Sequence, residues 1–162
     1  RVLFRSHLPD QTALSRLYDA HEACGAAVFG LRLGSVESKL APTTAVRLWQ
    51  PLSAAELLAA QKDARPLRIR EVGPPTGAPD ELYTTFAQIQ SPALTAAIEA
   101  RCRRGDSYDD TQLSAVLGEL AARGELYGAL LPGEILDIGT MPGYLDAARR
   151  FLLGTARLRE VS

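Results

Sequence analysis

Ile135-Leu136-Asp137-Ile138-Gly139-Thr140-Met141-Pro142-Gly143-Tyr144-Leu145-Asp146-Ala147-Ala148 is the stretch on which the reading of this chain turns. A short apolar strand, predicted over Glu134 to Ile138, delivers one carboxylate, Asp137, at its carboxyl end. Gly139 allows close backbone approach, and Thr140 with Pro142 starts a helix predicted to run to about Leu153. Open α/β sheets bind ligands at the carboxyl ends of their strands. A carboxylate there, beside a free helix N-terminus, suits a magnesium ion carrying phosphates. The same residues also describe a turn that Asp137 stabilises ahead of a capped helix, and on spacing alone that simpler account is the better one.

Working outward, helical and extended segments alternate, which predicts an α/β domain. A helix is expected over Thr12 to Cys24, with Leu14, Leu17, Tyr18, His21 and Cys24 on one face and Gly25 as its stop. Ala26 to Leu33 reads as a largely buried strand, and Ala45 to Trp49 as a half-buried, alternating one. Ser53-Ala54-Ala55-Glu56 is a capping box opening a short helix. Leu67 to Val72 alternates as another strand, Gly73 to Pro79 is a loop, and Thr84 to Gln90 is a strand running into Ser91-Pro92. Leu94, Ala97, Ile98 and Cys102 give the next helix its buried stripe, with arginines at its last turn, where cations suit the helix dipole. Asp109 is read as the cap of a helix whose apolar face is Leu113, Val116, Leu117 and Leu120, and Leu126 to Leu131 as the strand after Gly124.

Composition bounds the function. With 18 basic and 19 acidic residues the formal charge is −1, which excludes a globally basic nucleic-acid binder. A hydrophobic share of 46% with 23% charged residues is the mix of a soluble globular protein. No apolar run approaches the roughly 20 residues of a membrane-crossing helix. Two cysteines, Cys24 and Cys102, cannot build a disulfide framework; they are read as small core residues and fit a reducing, cytoplasmic setting. His7 and His21 have no carboxylate or cysteine at metal-ligand spacing.

Asp137-Ile138-Gly139-Thr140, then Met141 and Pro142-Gly143-Tyr144-Leu145-Asp146-Ala147, resembles the closing motif of sugar-phosphate nucleotidylyltransferases. In that family Asp-x-Gly-Thr-Pro leads into a Tyr-Leu-x-Ala helix. Leu8-Pro9-Asp10 is similar to the family's Gly-Asp or Pro-Asp segment at the end of a central strand. The Leu14, His21, Gly25 helix with its following strand, and Asp109 to Leu113 ahead of Gly124, extend the resemblance from about His7 to Phe151. It implies a Rossmann-like nucleotide-diphospho-sugar transferase fold, incomplete at its N-terminus, over residues 7–153. Residues 1–6 are read as an addition or a start in mid-strand, and 154–162 as a tail. The implied reaction joins a nucleoside triphosphate to a sugar 1-phosphate, giving a nucleotide sugar and pyrophosphate. Its implied magnesium ligands are Asp137 and Asp10, with Gly139 and Thr140 touching substrate. Neither nucleic acid nor membrane is an expected partner, and homo-oligomerisation is compatible with the family.

The chain also departs from the family. No Gly-Gly-x-Gly-Thr-Arg phosphate loop is present, so the 162 residues by themselves are expected to be inactive. Where the family has Glu-Lys-Pro this chain has Glu71-Val72-Gly73-Pro74-Pro75, and its two lysines, Lys39 and Lys62, lie elsewhere. Thr85-Phe86-Ala87-Gln88-Ile89 lacks the glycine of the family's Gly-x-Tyr strand. Arg68 or Arg70 could replace the lost lysine if strand register aims one of them at the site. These departures keep a second expectation alive, a non-catalytic regulatory or scaffolding relative of the same fold.

Overall fold

A computed structural model describes residues 6–7, 11–33, 44–78, 81–104, 110–132, 136–137, 141–142 and 144–149. In chain order the elements are β1 (Ser6–His7), α1 (Gln11–Cys24), β2 (Ala27–Leu33), β3 (Ala45–Leu48), α2 (Ala54–Lys62) and β4 (Leu67–Gly73). There follow β5 (Leu82–Ile89), α3 (Pro92–Arg103), α4 (Asp110–Arg123), β6 (Leu126–Leu130) and β7 (Leu136–Asp137). Residues 141–142 and 144–149 are helical, as the opening stretch predicts for its second half.

Local chemistry explains the element boundaries. At α2 the capping box forms: the Glu56 N–H donates to Ser53 Oγ at 3.4 Å, and the Ser53 N–H donates to Glu56 Oε2 at 2.8 Å. At α3 the Leu94 N–H donates to Ser91 Oγ at 3.3 Å, and Pro92 fills a first-turn position where no N–H is needed. The far end of α2 is held by Arg16 of α1, whose Nη1 donates to the carbonyls of Gln61 and, at 3.0 Å, of Lys62. These are the terminal carbonyls that an α-helix leaves unpaired.

The strands differ from an open parallel sheet. β2, β5, β3, β4 and β6 close into a ring in that order, while β1 and β7 form a separate two-stranded ladder. Only β2 and β6 pair in parallel, with Ala27 opposite Leu126 through Leu31 opposite Leu130; the other pairs in the ring are antiparallel. The residue pattern explains this. Strands with parallel neighbours are covered on both faces and read as continuous apolar runs, whereas alternation marks an antiparallel strand with one wetter face. Ala27 to Leu31 is buried without interruption, while β4 alternates buried Leu67 and Ile69 with exposed Arg68 and Arg70.

Two clusters fill the two sides of β2. Ala27, Phe29 and Leu31 pack with Val46, Ile69, Leu94, Leu120 and Leu126 under α2, α3 and α4. Val28 packs with Ala13, Leu17 and Ala20 of α1 and with Ala129 and Leu131. The buried face of α1 therefore keeps Leu17 and Cys24 of the predicted stripe but turns toward Ala13 and Ala20, by less than the roughly 100° of one residue. Leu14 and Tyr18 are each 59% exposed, and the small residues Ala13 and Ala20 let the helix approach the strands closely. Cys24 packs partly into this cluster, but Cys102 is exposed on α3, so only one cysteine joins the core.

Close approach also decides Gly30. A Cβ there would collide with Thr85 Oγ1 and with a Leu131 methyl at 2.5 Å, because β5 bends out of register opposite this point. At Gly124 the backbone takes φ +72° and the Arg68 guanidinium lies over it, donating from Nε to the Gly124 carbonyl at 3.1 Å. We predict that Gly30→Ala costs about 1–3 kcal/mol through overpacking, read as a lower midpoint in urea denaturation. An unchanged midpoint would show that β2 and β5 can spread without penalty.

Candidate functional site

The β1–β7 ladder joins the strand before one sequence motif to the strand that carries Asp137. Ser6 pairs with Asp137 and His7 with Leu136, antiparallel, so the strand that leads into Leu8-Pro9-Asp10 lies against the strand that carries Asp137. Asp10, Gly139 and Thr140 lie outside the described residues. α1 begins at Gln11, the residue after Asp10, which puts that carboxylate at the helix entrance in chain order. Pro9 has no N–H to continue a ladder past His7. Among the described residues no group of three or more His, Cys, Asp or Glu side chains could hold a metal. Of the two carboxylates that the sequence resemblance implies for magnesium, Asp137 is carried by β7 and Asp10 lies outside the described residues; carboxylate oxygens are the hard donors that magnesium takes.

The register separates the two arginines of β4. Arg68 is committed to structure: its guanidinium stacks 5.4 Å from the Trp49 ring centre while Nε serves the Gly124 carbonyl. Arg70 is placed differently. Arg47 opposes Glu71, yet Leu48 opposes Ile69, so Arg70 is the extra residue of a β-bulge. Both Arg70 and Glu71 are exposed, and Arg47 Nη1 donates to Glu71 Oε1 at 2.6 Å. Val72, at the lysine position of the resemblance, is half-buried against the core.

A second polar cluster escapes the sequence reading. Glu81, only 9% exposed, accepts from the Thr76 N–H, the Thr76 hydroxyl at 3.0 Å, the Gly77 N–H at 3.1 Å and the Tyr83 hydroxyl at 2.9 Å. Burial pushes this carboxyl up, but the donated hydrogen bonds outweigh it and hold the pKa below the ordinary glutamate value. Tyr83 is shifted the other way, first by burial and then by the Glu81 carboxylate, and Arg32 lies 5.7 Å from its ring centre. The only hint in the sequence is an acidic residue closing a proline- and glycine-rich loop.

No protein-family model and no curated protein matches the sequence. Solved structures do match in fold. An apo UDP-glucose pyrophosphorylase superposes with a TM-score of 0.67 at 14% identity, over 93% of this chain and 50% of that one. A UDP-glucose pyrophosphorylase complexed with UDP-glucose gives 0.65 at 12% identity, over 91% and 52%. The UTP-bound UGPase from Acinetobacter baumannii gives 0.59 at 17% identity, over 85% and 43%. The mixed helix and strand fold is thus similar to that of UDP-glucose pyrophosphorylases, and the chain spans about half the length of these structures. Among the described residues no helix is long and apolar enough to cross a membrane.

The Glu81 cluster yields a pH dependence. Its folded pKa is depressed, so its contribution is present above the unfolded glutamate value and is lost as pH falls through the folded one. Protection of the Thr76 and Gly77 amides against hydrogen exchange should therefore collapse on acidification below the usual glutamate range. In Glu81→Gln it should be weak already at neutral pH. Wild-type protection in the variant would mean the carboxylate does not anchor this loop.

Proposed function

We propose that the chain serves nucleotidyl transfer from a nucleoside triphosphate to a sugar 1-phosphate, giving a nucleotide sugar and pyrophosphate. The observation that carries this reading is the pairing of β1 with β7, inside a fold similar to UDP-glucose pyrophosphorylase. It supports the reading by setting the strand that precedes Leu8-Pro9-Asp10 beside the strand that carries Asp137, and the sequence resemblance implies Asp10 and Asp137 as the magnesium carboxylates. In this reading Asp137 and Asp10 hold the ion, Gly139 lets a phosphate approach the backbone, and Thr140 meets the substrate at the start of the helix that includes residues 141–142. Magnesium, when bound, neutralises phosphate charge, which is most of what phosphoryl-type transfer asks of a protein. The chain's own residues bind and orient; none is asked to take part covalently. We place the reaction in the cytoplasm, in keeping with two cysteines that are both free.

A second reading has its own observation. With Val72 half-buried and Arg68 tied to Trp49 and Gly124, the position where the resemblance has a phosphate-binding lysine carries no cation, and Arg70 on the same strand sits at a bulge. This favours a regulatory or scaffolding relative that keeps the fold without turnover.

Calorimetric titration of magnesium with a nucleoside triphosphate tests the first reading. The wild type should show saturable, magnesium-dependent nucleotide binding, and Asp137→Ala should weaken it at least about tenfold, a loss in keeping with one ion-directed carboxylate. Equal binding by Asp137→Ala would remove the metal role. Binding that depends on Asp137 without nucleotide-sugar formation in the whole protein would select the second reading.

A further inference from the structure

A cleft of about 300 Å³ lies between the antiparallel β3–β4 pair, the start of α2 and the loop before β5. Its floor and walls are apolar, including Val46, Leu48, Leu52, Leu57 and Leu82, and its charged lining is Arg47, Arg70 and Glu81. None of its lining residues comes from β1 or β7. Concave, mainly apolar sites with a few placed polar groups are the usual form of a small-molecule pocket, and this volume suits a compact ligand.

The charges at the cleft are unequal in availability. Glu81 is saturated by hydrogen bonds from Thr76, Gly77 and Tyr83. Arg47 shares its charge with Glu71. Arg70 makes no hydrogen bond or ion pair with any described residue, so its guanidinium is the charge left over. The bulge puts it there. In an unbroken strand Arg70 and Glu71 would fall on opposite faces; the extra residue leaves both outside the core and beside Arg47. Bulges are a known means of re-aiming a side chain at a functional place. A guanidinium fork matches the two oxygens of a carboxylate or phosphate. The apolar walls offer few partners to the hydroxyls of a polyol, and buried polar groups without partners are unfavourable.

We propose that this cleft binds a small amphipathic anion, an apolar body carrying one phosphate or carboxylate, with Arg70 engaging the anionic head and Val46, Leu52, Leu57 and Leu82 enclosing the body. The site goes beyond nucleotidyl transfer and does not depend on Asp137.

Titration of the full chain with phenyl phosphate, phenylacetate, inorganic phosphate and glucose 1-phosphate tests it. At least one phenyl anion should bind saturably and more tightly than inorganic phosphate, and the tighter of the two identifies the head group. Arg70→Gln should weaken that binding about tenfold, Arg70→Lys less, and Arg65→Gln, which alters an arginine outside the cleft, not at all. Circular dichroism checks that each variant is folded. The proposal is overturned if no phenyl anion saturates, if Arg70→Gln binds like the wild type, or if glucose 1-phosphate competes for the phenyl anion's site more tightly than phenyl phosphate binds there. The last comparison needs only the wild-type chain. Asp137→Ala should leave phenyl-anion binding unchanged even if it abolishes nucleotide binding, so the two readings fail separately.

Discussion

Everything else in the fold hangs on the parallel contact between β2 and β6. It joins an early strand to a late one, closes the ring, and leaves β2 covered on both faces, by α1 on one side and by the α2–α4 cluster on the other. Such a contact tolerates little bulk. Gly128 leaves room for the Leu31 side chain, and Gly30 does the same for Thr85 and Leu131. Two glycines and two alanines in paired strands are thus a packing requirement, set by atoms on β2, on β5 and just after β6, rather than a weakness in strand propensity. Because the pairing spans about a hundred residues of chain, it is the kind of contact whose loop-closure entropy must be met by burial elsewhere.

Local signals were legible wherever one residue governs one backbone group. The capping box at Ser53, the Ser91-Pro92 start and the stops at Gly25 and Gly124 all occur where the sequence predicts them. Continuous burial of β2 was equally plain. Faces and registers were harder, because they depend on partners distant in sequence. The large side chains of α1 point to a face with Leu14 and Tyr18, yet close packing on Val28 and Ala129 favours the alanine face. Ring closure could not be read either, although the alternation of β4 already argued against a wholly parallel sheet.

The candidate site divides along the same line. Asp137 stands out from its own neighbours, since strand, carboxylate, glycine and helix start follow in fixed order within a few residues. The distinction between Arg68 and Arg70 is invisible at that level. Both are exposed arginines two residues apart on one strand, and simple alternation makes them equivalent. One is used up by Trp49 and Gly124; the other is turned toward a cleft by a register shift that exists only because β3 is paired beside it. The trace left in the sequence is slight: the adjacent charges Arg70-Glu71 break the period of two that a strand with one buried face should keep.

The two polar regions are therefore products of different constraints. The β1–β7 ladder belongs to the part of the chain whose motifs follow a resemblance, and the chemistry proposed for it rests on carboxylates and hard cations. The cleft depends on the bulge in β4, on α2 with its capping box and on the Glu81-anchored loop, and its leftover charge is positive. The hard-cation site and the arginine-lined apolar cleft, as proposed, select ligands of opposite character. The same phosphate group satisfies both only when its body differs: a polar, metal-bound one at the ladder and an apolar one at the cleft. As proposed, that division gives the two recognition chemistries separate supports, the ladder for one and the ring of strands for the other, so that neither has to compromise the other.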